Sequence, residues 1–458
     1  MRIAAALGAL LLASCRATAP APSVPSLPPV QPDGSIAFMN VGVIPMTPDI
    51  GVLRNQTVIV RDGRIAEIGP AATVAVSPGA ERIDGRGRYL LPGLADMHVH
   101  LEYFETPEML KLFTAGGVTF VRSMDGRPRI LEWKKAIAAG SLEGPAIQTA
   151  GPLLDGAPPV LPDNTVVRTP EEARAAVAEQ HEAGYDFIKV YTNLSVRAYE
   201  AILEEAKQRG MPVAGHVPRH STMAKALEGH ASIEHLAAFD ELIEAESSPF
   251  YGRFHWSKLY LAMEADPQKI AEAGRRVARS GVAVVPTLVE AMHAVARPAV
   301  LASWMRRDEL QLVPAEVREF WETRVRGVSD RLDEEDWPVI ERGRQNRRDL
   351  VAALDAAGAK ILAGTDTPNP FVVPGVSLHR ELELLVAAGL TPKEALAAAT
   401  REAAAFAGEA DEWGTIEEGK RADLLLLHRN PLEDIAATRN LDRVMVRGKL
   451  AGRAGGSR

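Results

Sequence analysis

Apolar and polar positions change rhythm twice along the chain. From Ile36 to Ile83 the apolar residues come in short runs broken by turn residues. Residues 36–41 and 57–60 are predicted strands, and Arg61-Asp62-Gly63-Arg64 carries the Asp-Gly signature of a tight hairpin before residues 65–68 return. A sheet this small needs a partner to be stable. From Leu91 onward apolar strands alternate with helical segments, the mark of βα units and a parallel sheet. Eight strands are predicted, near residues 93–97, 119–123, 146–149, 187–191, 212–216, 232–235, 283–287 and 360–365. Thr169-Pro170-Glu171-Glu172 and Thr391-Pro392-Lys393-Glu394 each place an N-cap threonine, a proline at the first helical position and a glutamate at the third. Eight βα units in about 300 residues predict an α/β fold, a (β/α)8 TIM-type barrel. Two connections are long, 236–282 and 289–360. The second holds Trp304, Trp321, Trp337 and many arginines at helical spacing, which predicts amphipathic helices over the barrel mouth. After residue 414 strands return, including the apolar run Leu424–Leu427. They are expected to join the strands at 36–83 in one small β-sandwich built from both chain ends. The expected division is therefore 35–90 with 408–453 for the sandwich and 91–407 for the barrel.

Composition narrows the partners. The chain has 458 residues, 46% hydrophobic and 24% charged, enough for a large core. Its formal charge of −8 is spread without long runs, which argues against nucleic acid as a partner. Met1-Arg2 followed by an apolar run to Ala13 is too short to span a bilayer and fits the core of a signal peptide. Cys15 is the only cysteine, so the chain forms no internal disulfide and offers the body no catalytic thiol. Residues 16–34 are proline-rich and are expected to act as a tether.

The chemistry gathers at strand ends, where barrel enzymes keep it. His98 and His100 lie one residue apart at the end of the first predicted strand, so they point to one side and can hold a divalent metal. The fourth strand offers Lys189, the fifth His216, the sixth His235 and the eighth Asp366. Four of the chain's eleven histidines thus fall at strand ends in one register. Tyr191, two residues after Lys189, shares its side and is a candidate to hydrogen-bond a substrate carbonyl or carboxylate. Arg219 and His220, just beyond His216, are candidate substrate contacts near the mouth. Glu234 is expected to face away from His235, into the barrel wall, and His379 to be structural or to support a neighbouring group. No Gly-x-Ser-x-Gly elbow is present.

Taken together, the opening β-segment, Leu91–His100, Gly364-Thr365-Asp366 and Gly419-Lys420-Arg421-Ala422-Asp423 resemble the amidohydrolase superfamily over nearly the whole chain from Ile36 to Gly448. The resemblance is to binuclear members of the imidazolonepropionase-related and prolidase-like branch. It implies two divalent ions of zinc type. His98 and His100 would hold one, His216 and His235 the other, and an N6-carboxylated Lys189 would bridge them. Asp366 would bind the first ion and shuttle a proton from a metal-bridging hydroxide to the departing amine. Leu12-Ala13-Ser14-Cys15 separately resembles a bacterial lipoprotein signal over residues 1–15, which implies that Cys15 is lipidated and becomes the first mature residue, holding the body in the cell envelope, facing the periplasm. A cut after Ala19 would instead leave Pro20 at the new N-terminus.

The activity this implies is hydrolysis of an amide C–N bond in a dipeptide or N-acyl amino acid. A cyclic-amide hydrolase of imidazolonepropionase type and a metal-holding binding protein without turnover stay open as alternatives. The expected partners are a small amide or peptide substrate and the membrane through Cys15. Homo-oligomerisation is left open.

Overall fold

The computed structural model describes residues 32–249, 251–252 and 261–451. The signal segment, Cys15, most of the proline-rich tether and His255 lie outside the described residues. Among the described residues no helix is long and apolar enough to cross a membrane.

The first five strands are β1 (Ile36–Val43), β2 (Leu53–Arg61), β3 (Arg64–Pro70), β4 (Glu81–Asp84) and β5 (Tyr89–Pro92). The hairpin between β2 and β3 turns at Asp62 and Gly63, both at positive φ, as the Asp-Gly pair requires. The parallel strands follow: β6 (Leu94–Val99), β7 (Val118–Ser123), β8 (Ala146–Thr149), β9 (Leu154–Asp155), β10 (Thr165–Val166), β11 (Ile188–Val190), β12 (Val213–Gly215), β13 (Ser232–Glu234) and β14 (Ala283–Val285). The chain closes on β15 (Leu424–Leu427), β16 (Leu441–Val446) and β17 (Lys449–Leu450).

Strands from both chain ends form one hydrogen-bonded sheet of eight, in the order β17-β16-β15-β5-β1-β2-β3 with β4 against β1. The composite assembly was expected; its bonding is that of one continuous sheet. Its centre is two-faced. β5 and β15 run antiparallel with Leu90 opposite Leu426 and Leu91 opposite Leu425. Leu90, Leu424 and Leu426 pack with Phe38, Val58 and Val60 in the sheet's own core. Leu91, Leu425 and Leu427 turn the other way, into the core that contains Val118, Val121 and Ile233 of the parallel strands. The period of two thus lets one apolar run serve two cores.

The parallel strands form a three-stranded sheet, β6-β7-β8, and a six-stranded sheet, β10-β9-β11-β12-β13-β14. Asp186 N–H donates to Thr149 O at 2.9 Å and Ala150 bridges to Phe187, tying β8 to the strand that begins at β11. On the far side, the predicted eighth strand is extended chain rather than a ladder strand, with isolated bridges at Ile361 and Thr367. It still bonds both neighbours. Leu362 N–H donates to Val284 O, and Met97, Asp366 and His100 exchange backbone bonds of 2.8–2.9 Å across the boundary with β6. Backbone bonds therefore pass from β6 through β14 and the 361–367 segment back to β6.

The helices begin where the sequence places their caps. The Thr169 hydroxyl accepts from Glu172 N–H ahead of the helix Pro170–Ala183, and Thr391 and Glu394 form a full capping box ahead of Pro392–Ala398. Each cap is worth about 1 kcal/mol. The long connection after β14 is helical as expected. Trp304 and Trp321 pack with Phe371 and Val373, and Trp337 with Val295 and Ile340.

Candidate metal centre

The end of β6 sets the site. Asp96, His98 and His100 alternate to one side. Asp96 accepts from Thr365 N–H at 2.9 Å and from the Thr365 hydroxyl at 2.6 Å, which fixes the residue ahead of Asp366. Asp366 takes a left-handed conformation, φ 62°, and its carboxylate turns to the histidines. Oδ1 lies 3.3 Å from His98 Nε2 and 3.1 Å from His100 Nε2, and Oδ2 lies 3.8 Å from His235 Nδ1. His98, His235 and Asp366 each present a donor atom within 4.8 Å of the others. His216 joins through His235, their rings 5.1 Å apart and perpendicular.

Lys189 on β11 is 1% exposed. Burial pushes its amine down to about 8, against the pull of Glu234 and Asp366. Gly215, directly before His216, makes room for it: at φ 136°, a Cβ there would stand 2.1 Å from Val190 O and 3.1 Å from Lys189 Cδ. Burial pushes His216 and His235 well below the usual imidazole range, in the first case with help from Lys189. His100 goes the other way: Glu102 and Asp366 overcome its burial and hold it near 10.

Each of the four histidines meets a side-chain oxygen at Nδ1. Glu234 Oε2 stands 2.7 Å from His98, Glu102 Oε1 2.5 Å from His100, Thr192 Oγ1 3.1 Å from His216 and Thr287 Oγ1 2.8 Å from His235. Of these partners Glu102 was not singled out in the sequence, although its i+2 position after His100 is a usable signal, and Thr192 and Thr287 sit just past strand ends where threonine gave no distinct signal.

Glu234 corrects an expectation. It does not face the barrel wall. It is fully buried among the site residues, bonded to His98 and to Arg122 Nη2 at 2.6 Å. Strand alternation would send Glu234 and His235 to opposite sides, but His235 has left the strand conformation, with φ 60°. Both side chains therefore reach the site. Arg122, 1% exposed, also donates to Met97 O and Ser232 Oγ and lies over the rings of Phe187 and Phe406.

Tyr191 joins the cluster, its ring 4.3 Å from that of His216. Arg219 and His220 are exposed on the following loop, where Arg219 N–H donates to Thr192 O. His379 is structural: its Nε2 bonds Gly116 O at 2.9 Å. Tyr103 had no part in the sequence reading; its ring lies 6.0 Å from that of His100.

The donor set fits a divalent cation. A carboxylate can only accept, so Glu234 accepts a hydrogen bond from His98 Nδ1–H, and the neutral ring keeps a lone pair on Nε2. That atom and Asp366 Oδ1 are both buried without a hydrogen-bond partner, and they face each other. Two lone pairs at this distance repel unless a cation lies between them.

The sequence of residues 89–451 matches the model of the amidohydrolase family. An imidazolonepropionase of Acidiphilium cryptum is 27% identical over 409 residues, covering 86% of this chain and 92% of that protein. Among solved structures, a putative prolidase from Bifidobacterium longum superposes with a TM-score of 0.69 at 26% identity, covering 94% of this chain and 97% of its own. Bottromycin amidohydrolase superposes with a TM-score of 0.71 at 27% identity, covering 92% and 87%. The chain belongs to the amidohydrolase family and is a hydrolase of carbon–nitrogen bonds.

Proposed function

We propose that the protein hydrolyses the amide bond of a dipeptide or N-acyl amino acid with two divalent ions of zinc type. The observation that carries this reading is the buried pair of unpartnered acceptors, His98 Nε2 and Asp366 Oδ1, inside a ring of further donors. His98, His100 and Asp366 would hold one ion, and His216 and His235 the other. Lys189 would bridge them as its N6-carbamate. Its burial and its depressed pKa favour the neutral amine that carboxylation needs. The ions supply an activated water and a polarised carbonyl.

The chain's own residues do the rest. Asp366 is held by the Asp96–Thr365 contact with its carboxylate over the histidines, where Oδ2 receives the proton of the attacking water and passes it to the departing nitrogen. Tyr191, packed on His216, presents its phenol to the substrate's carbonyl or carboxylate. Arg219 and His220, exposed on the adjoining loop, would meet the far end of the substrate. The prolidase and imidazolonepropionase names of the relatives support two substrate classes. The buried Lys189, which suits a two-ion centre, favours the linear peptide or acyl amino acid over the cyclic amide.

The same reading takes the bonded circuit of parallel strands as a (β/α)8 barrel over residues 91–407. It takes the composite sheet, residues 35–90 with 408–453, as a sandwich folded over its own core. It places the body in the bacterial envelope, anchored through a lipidated Cys15 and facing the periplasm.

Metal analysis should give two ions per chain. Asp366→Asn should lower turnover by about a hundredfold or more while the protein still binds metal; undiminished turnover would remove Asp366 from the proton path. A panel of dipeptides, N-acyl amino acids and cyclic amides assigns the substrate. Turnover confined to cyclic amides would replace the linear reading.

A further inference from the structure

The four histidines are not supported alike. On the His98/His100 half both Nδ1 partners are carboxylates, Glu234 and Glu102. On the His216/His235 half both are threonine hydroxyls, Thr192 and Thr287. We infer that this division makes the two metal positions unequal: the His98/His100 position is the tight one that fills first, and the His216/His235 position is the exchangeable one. The inference rests on the two-ion reading above.

Two physical consequences of the partners carry it. A carboxylate only accepts, so it obliges a neutral imidazole to donate from Nδ1 and to keep the Nε2 lone pair for a metal. A hydroxyl accepts or donates with equal ease, so Thr192 and Thr287 leave the tautomer of His216 and His235 to be chosen when the ion arrives. A carboxylate partner also makes the imidazole a stronger donor and adds negative charge close to the ion, which a neutral hydroxyl does not.

Glu234 is itself held. Glu234 Oε1 accepts from Arg122 Nη2 at 2.6 Å and from Ser232 Oγ at 2.5 Å, leaving Oε2 for His98. Glu234 and Arg122 have almost no exposure, so the orientation of His98 is preset before any ion binds. Glu234 precedes His235 on the chain. The left-handed turn at His235 therefore lets one strand end support the first position through Glu234 and supply a ligand to the second.

Asp366 Oδ1 also leans to the His98/His100 side, at 3.3 and 3.1 Å, and would bias the filling in the same direction. A variant of Glu234 separates the two causes, because it leaves Asp366 in place.

The test is a Zn2+ titration of the metal-free full chain against a competing chelator. Anomalous scattering from crystals carrying one equivalent would then locate the first ion. Two steps are expected, with the first ion between His98 and His100. Glu234→Gln should weaken the tight step by about 10–100-fold and leave the second nearly unchanged. Thr287→Val should weaken only the second step, and Thr287→Ser should restore it. Should Glu234→Gln fail to fold, Glu102→Gln tests the same half through His100. A first ion found at His216 and His235, or a tight step moved less than twofold in a folded Glu234→Gln or Glu102→Gln protein, overturns the inference. A single step of one ion per chain overturns the two-ion reading itself, and is told apart by its stoichiometry.

Discussion

Arg122 is the residue on which the site's interior depends most. Its guanidinium is the counter-charge of Glu234, and both are buried. Arg122→Met keeps the volume and removes the charge, leaving Glu234 with an unbalanced negative charge in the interior. Loss of about 3–5 kcal/mol of stability is expected from denaturant unfolding. A loss below about 1 kcal/mol would mean that Ser232 and His98 alone can carry Glu234. The candidate ligands stand out in the sequence because each is a rare residue at a strand end; in the structure His98, His235 and Asp366 bring donor atoms within 4.8 Å of one another, His100 lies 3.1 Å from Asp366 and His216 packs on His235. Glu234 and Arg122 were not. An arginine inside a strand gives no sign of facing inward, and alternation argued against Glu234 because a left-handed residue at His235 has no sequence signature.

At the scale of elements, the site is made by how strands stop. Thr287, at the end of β14, and Asp366 share with His235 a positive φ that non-glycine residues seldom adopt, at a cost of about 1–3 kcal/mol each. The surrounding bonds hold them there: Glu381 accepts from Leu288 and Val289 N–H just after Thr287, and Asp96 holds Thr365 just before Asp366. β12 stops differently, on Gly215, whose backbone lies against Val190 O. Gly215→Ala would force a Cβ into that oxygen in a strained conformation, so β11 and β12 would have to part, moving Lys189 and His216 together. A stability loss on the order of 3 kcal/mol and a weakened second Zn2+ step are expected. Normal stability and metal binding would show that the strands can shift without cost. The periodicity gave the positions of seven parallel strands but overstated the eighth. Residues 360–367 are extended and bonded to both sides, yet Asp366 leaves the strand conformation so soon that no ladder forms.

For the whole molecule, the question is whether the end-built sheet and the parallel-strand body unfold as one. Both chain ends were readable as strands, and the Asp62-Gly63 hairpin formed as the sequence indicated, but alternation alone did not say where the second face of Leu424–Leu427 would go. The registers answer it: Leu426 with Leu90 belongs to the sheet's own core, and Leu425 with Leu91 to the body's. Gly93 then carries the chain directly from β5 into β6, the strand of His98, so close to Thr119 that a Cβ would lie 2.2 Å from its hydroxyl. A strand shared in this way couples the two cores mechanically. Leu426→Ala and Leu425→Ala should each cost about 2–5 kcal/mol, since both side chains are almost fully buried. Both variants should unfold in a single transition, with metal release, tryptophan fluorescence and far-ultraviolet dichroism moving together. If Leu426→Ala instead produced an early transition that left metal binding intact, the sheet would be a separate folding unit. The Leu425→Ala variant would then be the one to lose metal first, because its cavity opens on the side that faces β6 and β7.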